Sequence, residues 1–341
     1  MKKILIIYTG GTIGMIHHPE TYELIPFDFS HFKTQVPEIN KFDIDIDTYE
    51  CKEIIDSSDL SPELWQNLAE IIYDNYNKYF GFVILHGTDT MAYTASALSF
   101  MLDNLAKPVI ITGAQLPIGK LRTDGKENLI SAIEIAADER YGKPVVQEVC
   151  IYFEYKLLRG NRTTKKSAEY FDAFCSPNFP SLADAGININ YKKNLLLKSK
   201  QQKKFTINTQ LDKNIFIIKI FPGINLDIIS AIIDNPNVKA IILETYGAGN
   251  APTNPDFLKL IKKGIKKGIL FLNVSQCLEG KVDMTKYKTG KSLKKVGVIS
   301  LRDSTIEAAV TKAMWLLGQD FSIEKIRRFL NKSLKGEINL Q

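Results

Sequence analysis

The sequence predicts an α/β protein of two domains, a larger N-terminal one with a doubly wound, mostly parallel sheet and a smaller C-terminal one. Short apolar runs alternate with helical segments at intervals of about 25 to 30 residues, the spacing that right-handed βαβ crossovers need. A length of 341 residues exceeds what one hydrophobic core usually serves. We therefore expect domains at residues 1–188 and 213–341, joined at 189–212 by a linker rich in Lys, Gln and Asn.

The first predicted strand is Ile4–Tyr8, whose continuous apolar character is typical of a strand buried on both faces. Asp43–Tyr49 alternates charged and apolar side chains, as a half-exposed or edge strand does. A helix starts at Ser61, where a capping hydroxyl precedes a proline and an acid. The remaining elements of this domain are the strands Phe82–Leu85, Val109–Ile111 and Val149–Phe153 and the helices Thr90–Leu105 and Glu127–Ala137.

The C-terminal domain resumes the same alternation after the linker. Its predicted strands are Ile215–Ile220, Ala240–Leu243 and Ile269–Val274, and its predicted helices are Asp227–Ile233, Pro255–Lys267, Thr305–Leu317 and Ser322–Leu330. No stretch approaches the roughly twenty apolar residues that span a bilayer. The apolar run after Met1 is too short for a secretory signal.

Composition favours an ordinary soluble globular protein, and the cysteine pattern favours a reducing cytoplasm. Apolar residues make up 45% of the chain and charged residues 24%, as in typical globular proteins. The four cysteines lie far apart, which indicates neither a disulfide framework nor a zinc site. The net charge of +6 comes in lysine runs at 192–204, 259–267 and 286–295, without interleaved base-stacking aromatics. We interpret these runs as solvated surface and expect no nucleic-acid or membrane partner.

Two glycines and a threonine end the first strand, in the stretch Thr9-Gly-Gly-Thr12. Glycines allow a sharp turn and the close approach of another group because no Cβ stands in the way. Ligands of open α/β sheets bind at the carboxyl ends of strands, so the turn delivers the Thr12 hydroxyl to that edge. Taken by itself, however, the segment is better explained by Thr12 as a helix cap.

A second polar turn, His86-Gly-Thr-Asp-Thr90, follows the predicted strand Phe82–Leu85. Thr88, Asp89 and Thr90 are all good helix-capping residues. A helix needs only one capping residue at its N-terminus, so capping does not explain three such residues in a row behind a glycine. We therefore expect Asp89 to bind a substrate ammonium and Thr88 to serve as a nucleophile or in a proton relay.

Two further loops carry candidate site residues. Lys165 ends the stretch Arg159-Gly-Asn-Arg-Thr-Thr-Lys and would ordinarily be surface charge. A lysine buried against Asp89 can instead accept a proton, because burial disfavours the charged form, and a threonine nucleophile needs such a base. In Asp56-Ser-Ser-Asp59 the serines and backbone amides can hold a carboxylate, although capping of the next helix is the simpler explanation.

Several common catalytic patterns are absent from the sequence. No Gly-x-Gly-x-x-Gly follows the first strand, and there is no Gly-Lys-Ser/Thr phosphate loop or Gly-x-Ser-x-Gly elbow. The four histidines, at positions 17, 18, 31 and 86, show no metal-ligand spacing. We therefore expect catalysis by threonine, lysine and aspartate without a metal or cofactor.

The stretches Tyr8–Gly14 and His86–Tyr93 resemble the two signature motifs of the bacterial-type asparaginase/glutaminase family. The resemblance is closest to the cytoplasmic type I L-asparaginases and covers essentially the whole chain. It assigns an asparaginase N-terminal domain to residues 1–188 and an asparaginase C-terminal domain to 213–341. Further matching stretches are Asp56–Asp59, Gly160–Lys165, Tyr246–Pro252 and Cys277–Lys281.

The resemblance implies hydrolysis of L-asparagine to L-aspartate and ammonia. Thr12 would attack the side-chain amide and form an acyl-enzyme, with Thr88, Asp89 and Lys165 as a proton-relay triad. Asp89 would also receive the substrate's α-ammonium, while the Ser57 loop takes the α-carboxylate. The implied substrate-binding set is Asp56, Ser57, Ser58, Thr88 and Asp89.

The resemblance also implies a tyrosine near the nucleophile. Family members usually carry it on the mobile loop after the first strand, where Tyr22 is our choice. An alignment on Pro26 would put Leu24 at that place instead. Some type I relatives use a tyrosine of the second domain, which here is Tyr287, and Tyr287 stays as the alternative.

Three rival interpretations remain from the sequence. The amidase subunit of archaeal glutamyl-tRNA(Gln) amidotransferase shares both motifs but carries an extra N-terminal domain, whereas this chain starts at the first strand. A glutaminase-asparaginase would differ only in pocket depth. A non-catalytic amino-acid-binding protein would keep the fold without the reaction. The family resemblance also implies a homodimer or homotetramer.

A second asparagine site activates some bacterial type I enzymes, and Thr164 and Cys277 match it. Glu244 stands where those enzymes carry an arginine, which reverses the charge offered to the ligand's carboxylate. We therefore expect activation by asparagine to be weakened or lost.

This expectation predicts the shape of the kinetic curve. The rate of ammonia release should rise hyperbolically with L-asparagine concentration, because no second ligand is needed for full activity. Initial rates over a wide range of asparagine concentrations test it, and a strongly sigmoidal curve would contradict it.

Overall fold

The structure of the protein, a computed structural model, describes residues 1–17, 24–26, 36–52, 54–200 and 203–340. The chain forms two compact units, Met1–Thr209 and Gln210–Gln341, and each unit has its own sheet. Strands alternate with helices in both units, so the predicted α/β class is confirmed.

The first unit is built on strands connected by three long helices. Its strands are β1 (Lys2–Tyr8), β2 (Met15–His17), β3 (Leu24–Pro26), β4 (Ile44–Glu50), β5 (Gly81–Leu85), β6 (Leu102–Asp103), β7 (Val109–Thr112), β8 (Glu139–Arg140), β9 (Lys143–Pro144), β10 (Val149–Phe153), β11 (Lys156–Arg159), β12 (Thr164–Lys165), β13 (Phe174–Cys175), β14 (Ala183–Ala185), β15 (Ile189–Tyr191) and β16 (Thr206–Ile207). Its helices are α1 (Pro62–Asn75), α2 (Met91–Met101) and α3 (Gly125–Ala137). Short 3-10 turns lie at Thr12–Gly14, Pro37–Lys41, Ser57–Asp59 and Gly160–Arg162.

The main sheet of this unit has eight strands in the order β15-β14-β11-β10-β7-β5-β1-β4. Strands β4, β1, β5, β7 and β10 run parallel, and β11, β14 and β15 continue the sheet in antiparallel pairs. Ile4–Tyr8 is buried on both faces, and β4 forms an edge, as predicted. The carboxyl ends of five parallel strands therefore share one edge, the expected place for a ligand.

The segment expected to be a linker is largely packed into the first unit. Ile189–Tyr191 pairs with β14, and Thr206–Ile207 pairs with β6. Leu195 and Leu196 pack against the main core. The same pairing explains why α2 ends at Met101 and not at Leu105, because the chain leaves the helix to form β6. Few anchors are visible in this stretch of sequence, but those few pack against the body of the unit.

The second unit carries a four-stranded parallel sheet in the order β17-β18-β19-β20. Its strands are β17 (Ile215–Lys219), β18 (Ala240–Thr245), β19 (Leu270–Ser275) and β20 (Ile299–Ser300), and its helices are α4 (Leu226–Asp234), α5 (Pro255–Lys266), α6 (Lys288–Val296), α7 (Ile306–Gly318) and α8 (Ile323–Leu330). Helix α6 lies in a lysine run interpreted as solvated surface, yet it buries Gly290 and Leu293. No helix within the described ranges is long and apolar enough to cross a membrane.

Candidate active site

The turns after β1 and β5 meet at the carboxyl edge of the main sheet, because these two strands are parallel neighbours. The Thr9 backbone N–H and the Thr9 hydroxyl both donate to the Leu85 carbonyl, at 3.1 and 2.9 Å. The loop after β4 joins them through the Ile55 N–H, which donates to the Thr9 carbonyl at 3.0 Å. Three of the four predicted site loops are therefore in contact.

Glycines allow these loops to pack backbone against backbone. Gly11 has a φ of +87°, and a Cβ built on it would lie 2.4 Å from the Gly87 nitrogen. A Cβ on Gly87 would lie 2.5 Å from the Ser57 hydroxyl. Any larger residue at either place would force the loops apart. The two glycines thus bring the loops of Thr12, Thr88 and Ser57 together.

Thr12 opens the 3-10 turn that follows Gly11 and is partly exposed. Gly11 occupies the cap position and no side chain caps the turn, so the interpretation of Thr12 as a helix cap is wrong. The hydroxyl of the buried Tyr8 donates to the Gly14 carbonyl at 3.1 Å and so anchors the turn to β1. The Thr12 side chain is therefore positioned by a fixed turn that it does not itself cap.

Lys165, on the short strand β12, contacts the second motif directly. Its Nζ donates to the Thr88 hydroxyl at 2.8 Å and to Asp89 Oδ1 at 2.6 Å. The predicted contact of these three residues is thus present in the structure. A cation, a hydroxyl and a carboxylate in contact form a path along which a proton can move.

The ion pair is less buried than the sequence leads one to expect. The Lys165 side chain is 18% exposed, but that of Asp89 is 62% exposed, so the expectation of a buried pair is wrong for Asp89. The reason is its position in the turn between β5 and α2, where the loop opens to solvent. The Asp89 carboxylate, although paired with Lys165, is therefore accessible to a substrate ammonium.

The loop that carries Lys165 is anchored by buried charges. Arg159 Nε pairs with Glu148 Oε2 at 2.6 Å, and both side chains are only 4% exposed. The guanidinium groups of Arg159 and Arg162 lie over the Phe179 ring, 4.5 and 5.1 Å from its centre. Separating a buried ion pair leaves an uncompensated charge, which is strongly unfavourable. These contacts therefore hold the loop that carries Lys165 in place.

Gln115 completes the surroundings of Thr88, although no motif of the sequence singles it out. The Thr88 hydroxyl donates to Gln115 Oε1 at 3.2 Å, while the Gln115 backbone N–H donates to Asp124 Oδ2 at 2.9 Å. Burial raises the pKa of Asp124, although the backbone hydrogen bonds act against it. Gln115 follows β7, the neighbour of β5, so its place at the carboxyl edge is the one signal by which it could have been found.

His86 is a buried, neutral support of the same turn. Its Nδ1 lies 2.7 Å from the Gly87 carbonyl and must donate to it, which leaves Nε2 to accept from the Thr94 hydroxyl at 2.8 Å. Thr94 in turn accepts from the Trp65 indole N–H at 3.0 Å. Burial lowers the pKa of His86 to about 4, so the ring is uncharged near neutral pH. The sequence shows no metal-ligand spacing around His86 and does not reveal this supporting role.

In the Asp56–Ser58 stretch, Asp56 caps a 3-10 turn and Ser57 lies at the candidate site. Asp56 Oδ1 accepts from the Ser58 N–H and the Ser58 hydroxyl, both at 2.8 Å, and so caps the 3-10 turn. These hydrogen bonds lower the pKa of Asp56. Ser57 is buried against Gly87, and its carbonyl accepts from the Thr90 hydroxyl at 2.7 Å. Ser57 is thus the member of this stretch that lies at the site.

The remaining candidates are Tyr22, Tyr287 and the three second-site residues. Tyr22 falls outside the described residues. Tyr287 belongs to the second unit, where it is exposed and precedes α6. Of the second-site residues, Thr164 is buried in the first unit, while Glu244 and Cys277 lie in the second. The side chain of Gln276, next to Cys277, donates to the Glu244 carbonyl at 2.7 Å, so the ends of β18 and β19 bring Glu244 and Cys277 near each other.

Comparison with known proteins covers both units. Residues 3–197 match the family model described as "Asparaginase, N-terminal", and residues 214–330 match "Glutaminase/Asparaginase C-terminal domain". L-asparaginase 1 of Escherichia coli K12 is 44% identical over 338 residues, which cover 99% of this chain and 98% of that protein. The 60 kDa lysophospholipase of Mus musculus is 36% identical over 99% of this chain and 63% of its own length.

A solved structure shares the whole fold. The crystal structure of L-asparaginase I from Vibrio cholerae superimposes with a TM-score of 0.90, at 42% identity and with 99% of each chain covered. The matched N-terminal region contains the loops of Thr12, Thr88 and Lys165, which are in contact or joined by hydrogen bonds in this structure. On the two family models and the identity to L-asparaginase 1, the chain belongs to the asparaginase family.

Proposed function

We propose that the protein is an L-asparaginase that hydrolyses L-asparagine to L-aspartate and ammonia. The observation that carries the proposal is the contact of Lys165 Nζ with Thr88 Oγ1 and Asp89 Oδ1, next to the loop that holds Thr12. The relatives from Escherichia coli and Vibrio cholerae, at 44% and 42% identity, are L-asparaginases. Family and geometry therefore support the same reaction.

Thr12 is the nucleophile in the proposed mechanism. Its oxygen forms a bond to the side-chain carbonyl carbon of asparagine, and the carbonyl electrons move to oxygen, where backbone N–H groups of the glycine-rich loops stabilise them. The C–N bond then breaks, and the amide nitrogen leaves as ammonia with the proton from Thr12. Water next attacks the acyl-enzyme, releases L-aspartate and returns a proton to Thr12.

Thr88 and Lys165 move the protons of these two steps. A threonine hydroxyl is a poor nucleophile unless a base accepts its proton. In this mechanism Thr88 takes the proton of Thr12 and passes its own proton to Lys165 Nζ, which acts as the base in its amine form. The Thr88 hydroxyl lies between Lys165 Nζ and Gln115, so its orientation is set before substrate binds. Preorganisation of this kind lowers the cost of reaching the transition state.

Asp89 and Ser57 orient the zwitterionic substrate. The exposed Asp89 carboxylate receives the α-ammonium, and Ser57 with neighbouring backbone amides receives the α-carboxylate. Asp56 and Ser58 support binding of the α-carboxylate indirectly, because the hydrogen bond between their side chains fixes the turn. For the tyrosine near the nucleophile we propose Tyr22, with Tyr287 as the alternative.

Two other functions stay as alternatives. A glutaminase-asparaginase would release ammonia from L-glutamine with similar efficiency, and a non-catalytic amino-acid-binding protein would release none. The proton-relay contact favours an enzyme, since a binding protein has no need of a lysine hydrogen-bonded to a threonine hydroxyl. For the second site we propose that Glu244 weakens binding of an asparagine carboxylate by charge repulsion.

The Thr12→Ala variant tests the proposed nucleophile. We expect it to lower kcat for ammonia release from L-asparagine by at least about a thousandfold, because the acyl-enzyme cannot form. The matched control is Thr48→Ala, which removes an exposed threonine of edge strand β4 and should leave kcat unchanged. A coupled ammonia assay with L-asparagine, L-glutamine and D-asparagine measures both.

Retention of most activity in Thr12→Ala would contradict the assigned nucleophile. Equal kcat/KM values for L-asparagine and L-glutamine in the wild-type protein would favour the glutaminase-asparaginase alternative. If neither amide yields ammonia while L-asparagine still raises the Tm, the protein is a binding protein.

We further propose that the protein is a homodimer or homotetramer and is cytoplasmic. Apolar side chains of the second unit are exposed on edge strand β17 and on the segment after it, namely Phe216, Ile217, Phe221 and Ile228. Large apolar side chains left exposed along one stretch of the chain are typical of a subunit interface. The four cysteines are free, as in proteins of a reducing compartment, which supports a cytoplasmic location. Cell fractionation tests this location.

Ile228→Glu tests the assembly. Placing a charge at this exposed apolar position should reduce the mass measured by light scattering from that of two or four chains towards that of one. The matched control is Ile187→Glu, at a fully exposed position of the first unit, which should leave the mass unchanged. A wild-type protein with the mass of one chain at micromolar concentration would contradict the proposal.

A further inference from the structure

A large cavity of the first unit lies outside the candidate active site. Its volume is about 720 Å³, within the range of small-molecule sites. None of its lining residues belongs to the triad, the Thr12 loop or the Ser57 loop. Its apolar part is formed by Tyr76, Ala106, Pro144, Val145, Leu196, Leu197 and Phe205.

The charged lining of this basic cavity is entirely positive. The cations are Arg140, Lys143, Lys193, Lys198, Lys200 and Lys203, and no carboxylate is among the lining residues. Within the described ranges none of these six side chains forms an ion pair, whereas Lys2, Lys3 and Lys192 of the same unit do. Six cations around one cavity repel one another, and an anion inside it would relieve the repulsion.

Aromatic rings accompany these cations, although the lysine run 192–204 itself offers none suited to stacking. Phe205 directly follows that run, and the fold adds Tyr76 and Tyr141 to the same cavity. Tyr76 and Phe205 stack with ring centres 3.9 Å apart. Tyr141 is largely exposed, and its ring lies 5.2 Å from the Arg140 guanidinium. A flat ring and an anionic group both find partners here.

The lysine segment is held to the body of the unit by hydrogen bonds. The Leu197 N–H donates to Glu148 Oε1 at 2.7 Å, the Ser199 N–H to Gln147 Oε1 at 3.0 Å, and the Lys200 N–H to Asn104 Oδ1 at 2.7 Å. Glu148 is itself in the buried pair with Arg159. The backbone of residues 197–200 is therefore fixed, so Lys198 and Lys200 line the cavity before a ligand arrives.

We propose that the basic cavity binds a small aromatic phosphate of the nucleoside phosphate class. Its lysines and arginine neutralise the phosphates, and its rings and apolar floor cover the aromatic base. A fixed backbone lowers the ordering cost of binding. The site is independent of asparagine hydrolysis, so its test does not depend on the proposed function.

Calorimetric titration with ATP tests the proposal, in EDTA at moderate salt and without magnesium. The wild-type protein should bind one ATP per chain. The double variant Lys143→Glu/Lys198→Glu should weaken binding at least about tenfold, because it reverses two charges of the site. The matched control, Lys262→Glu/Lys266→Glu, makes the same change of net charge on exposed lysines of α5 and should leave the affinity within about twofold.

Tyr141→Ala tests the aromatic part of the proposal. Tyr141 is exposed, so its loss should not disturb the fold, and it should weaken ATP binding at least about fivefold. The same variant should leave the affinity for inorganic tripolyphosphate unchanged. Equal effects of Tyr141→Ala on both ligands, or wild-type tripolyphosphate binding as tight as ATP binding, would overturn the aromatic class.

Three further results would overturn the proposal as a whole. They are the absence of ATP binding up to millimolar concentration, equal weakening by both lysine double variants, and tighter binding of a short single-stranded RNA than of ATP at the same lysines. If Lys143→Glu/Lys198→Glu changes the oligomeric state while ATP does not bind, the cavity is a subunit contact and the proposal is also wrong.

Discussion

Lys165 forms hydrogen bonds with Thr88 and Asp89, although it lies 77 and 76 positions away from them in the chain. No local preference of the backbone produces such a contact. It requires that β5 deliver the Thr88 turn to the carboxyl edge and that β12 return to the same place. The rest of the first unit can be understood as the framework that satisfies these two conditions.

Backbone contacts and buried charges supply that framework. Gly11 and Gly87 let the loops approach until nothing larger than hydrogen fits between them. The buried pair of Arg159 and Glu148 fixes the start of the loop that carries Lys165. Glu148 also accepts a hydrogen bond from the Leu197 N–H near the basic cavity. His86 supports the Thr88 turn without adding charge, because burial keeps its ring neutral. Lys165 Nζ therefore faces a hydroxyl and a carboxylate, and His86 adds no positive charge to the same turn.

The sequence predicts the fold class and most elements because they rest on local patterns. The apolar run Ile4–Tyr8, the alternation of β4 and the proline start of α1 each locate an element within a few residues. The glycines of the two turns also indicate close packing at the carboxyl edge. The contact of Lys165 with Asp89 could only be stated as a condition for catalysis, since a lysine in a loop is usually solvated and no local pattern brings it to Asp89.

Other features depend on tertiary contacts that leave no periodic signal. Gln115 becomes part of the site only because β7 lies beside β5. Helix α6 is hidden in the sequence by its many lysines, although Leu293 is buried. Tyr76 and Tyr141 line the same cavity as a lysine run far from them in sequence, which no inspection of that run alone reveals. Long-range neighbours, and not residue types, are what the sequence leaves unspecified.

A double-mutant cycle on Lys165 and Thr88 tests the central claim most directly. If the two side chains act as one proton relay, Lys165→Met, Thr88→Val and the double variant should all lose kcat to a similar extent, within about threefold, because breaking the relay once abolishes it. Circular dichroism and the Tm of each variant establish that the fold is retained. Losses that multiply in the double variant would show independent action and contradict the account.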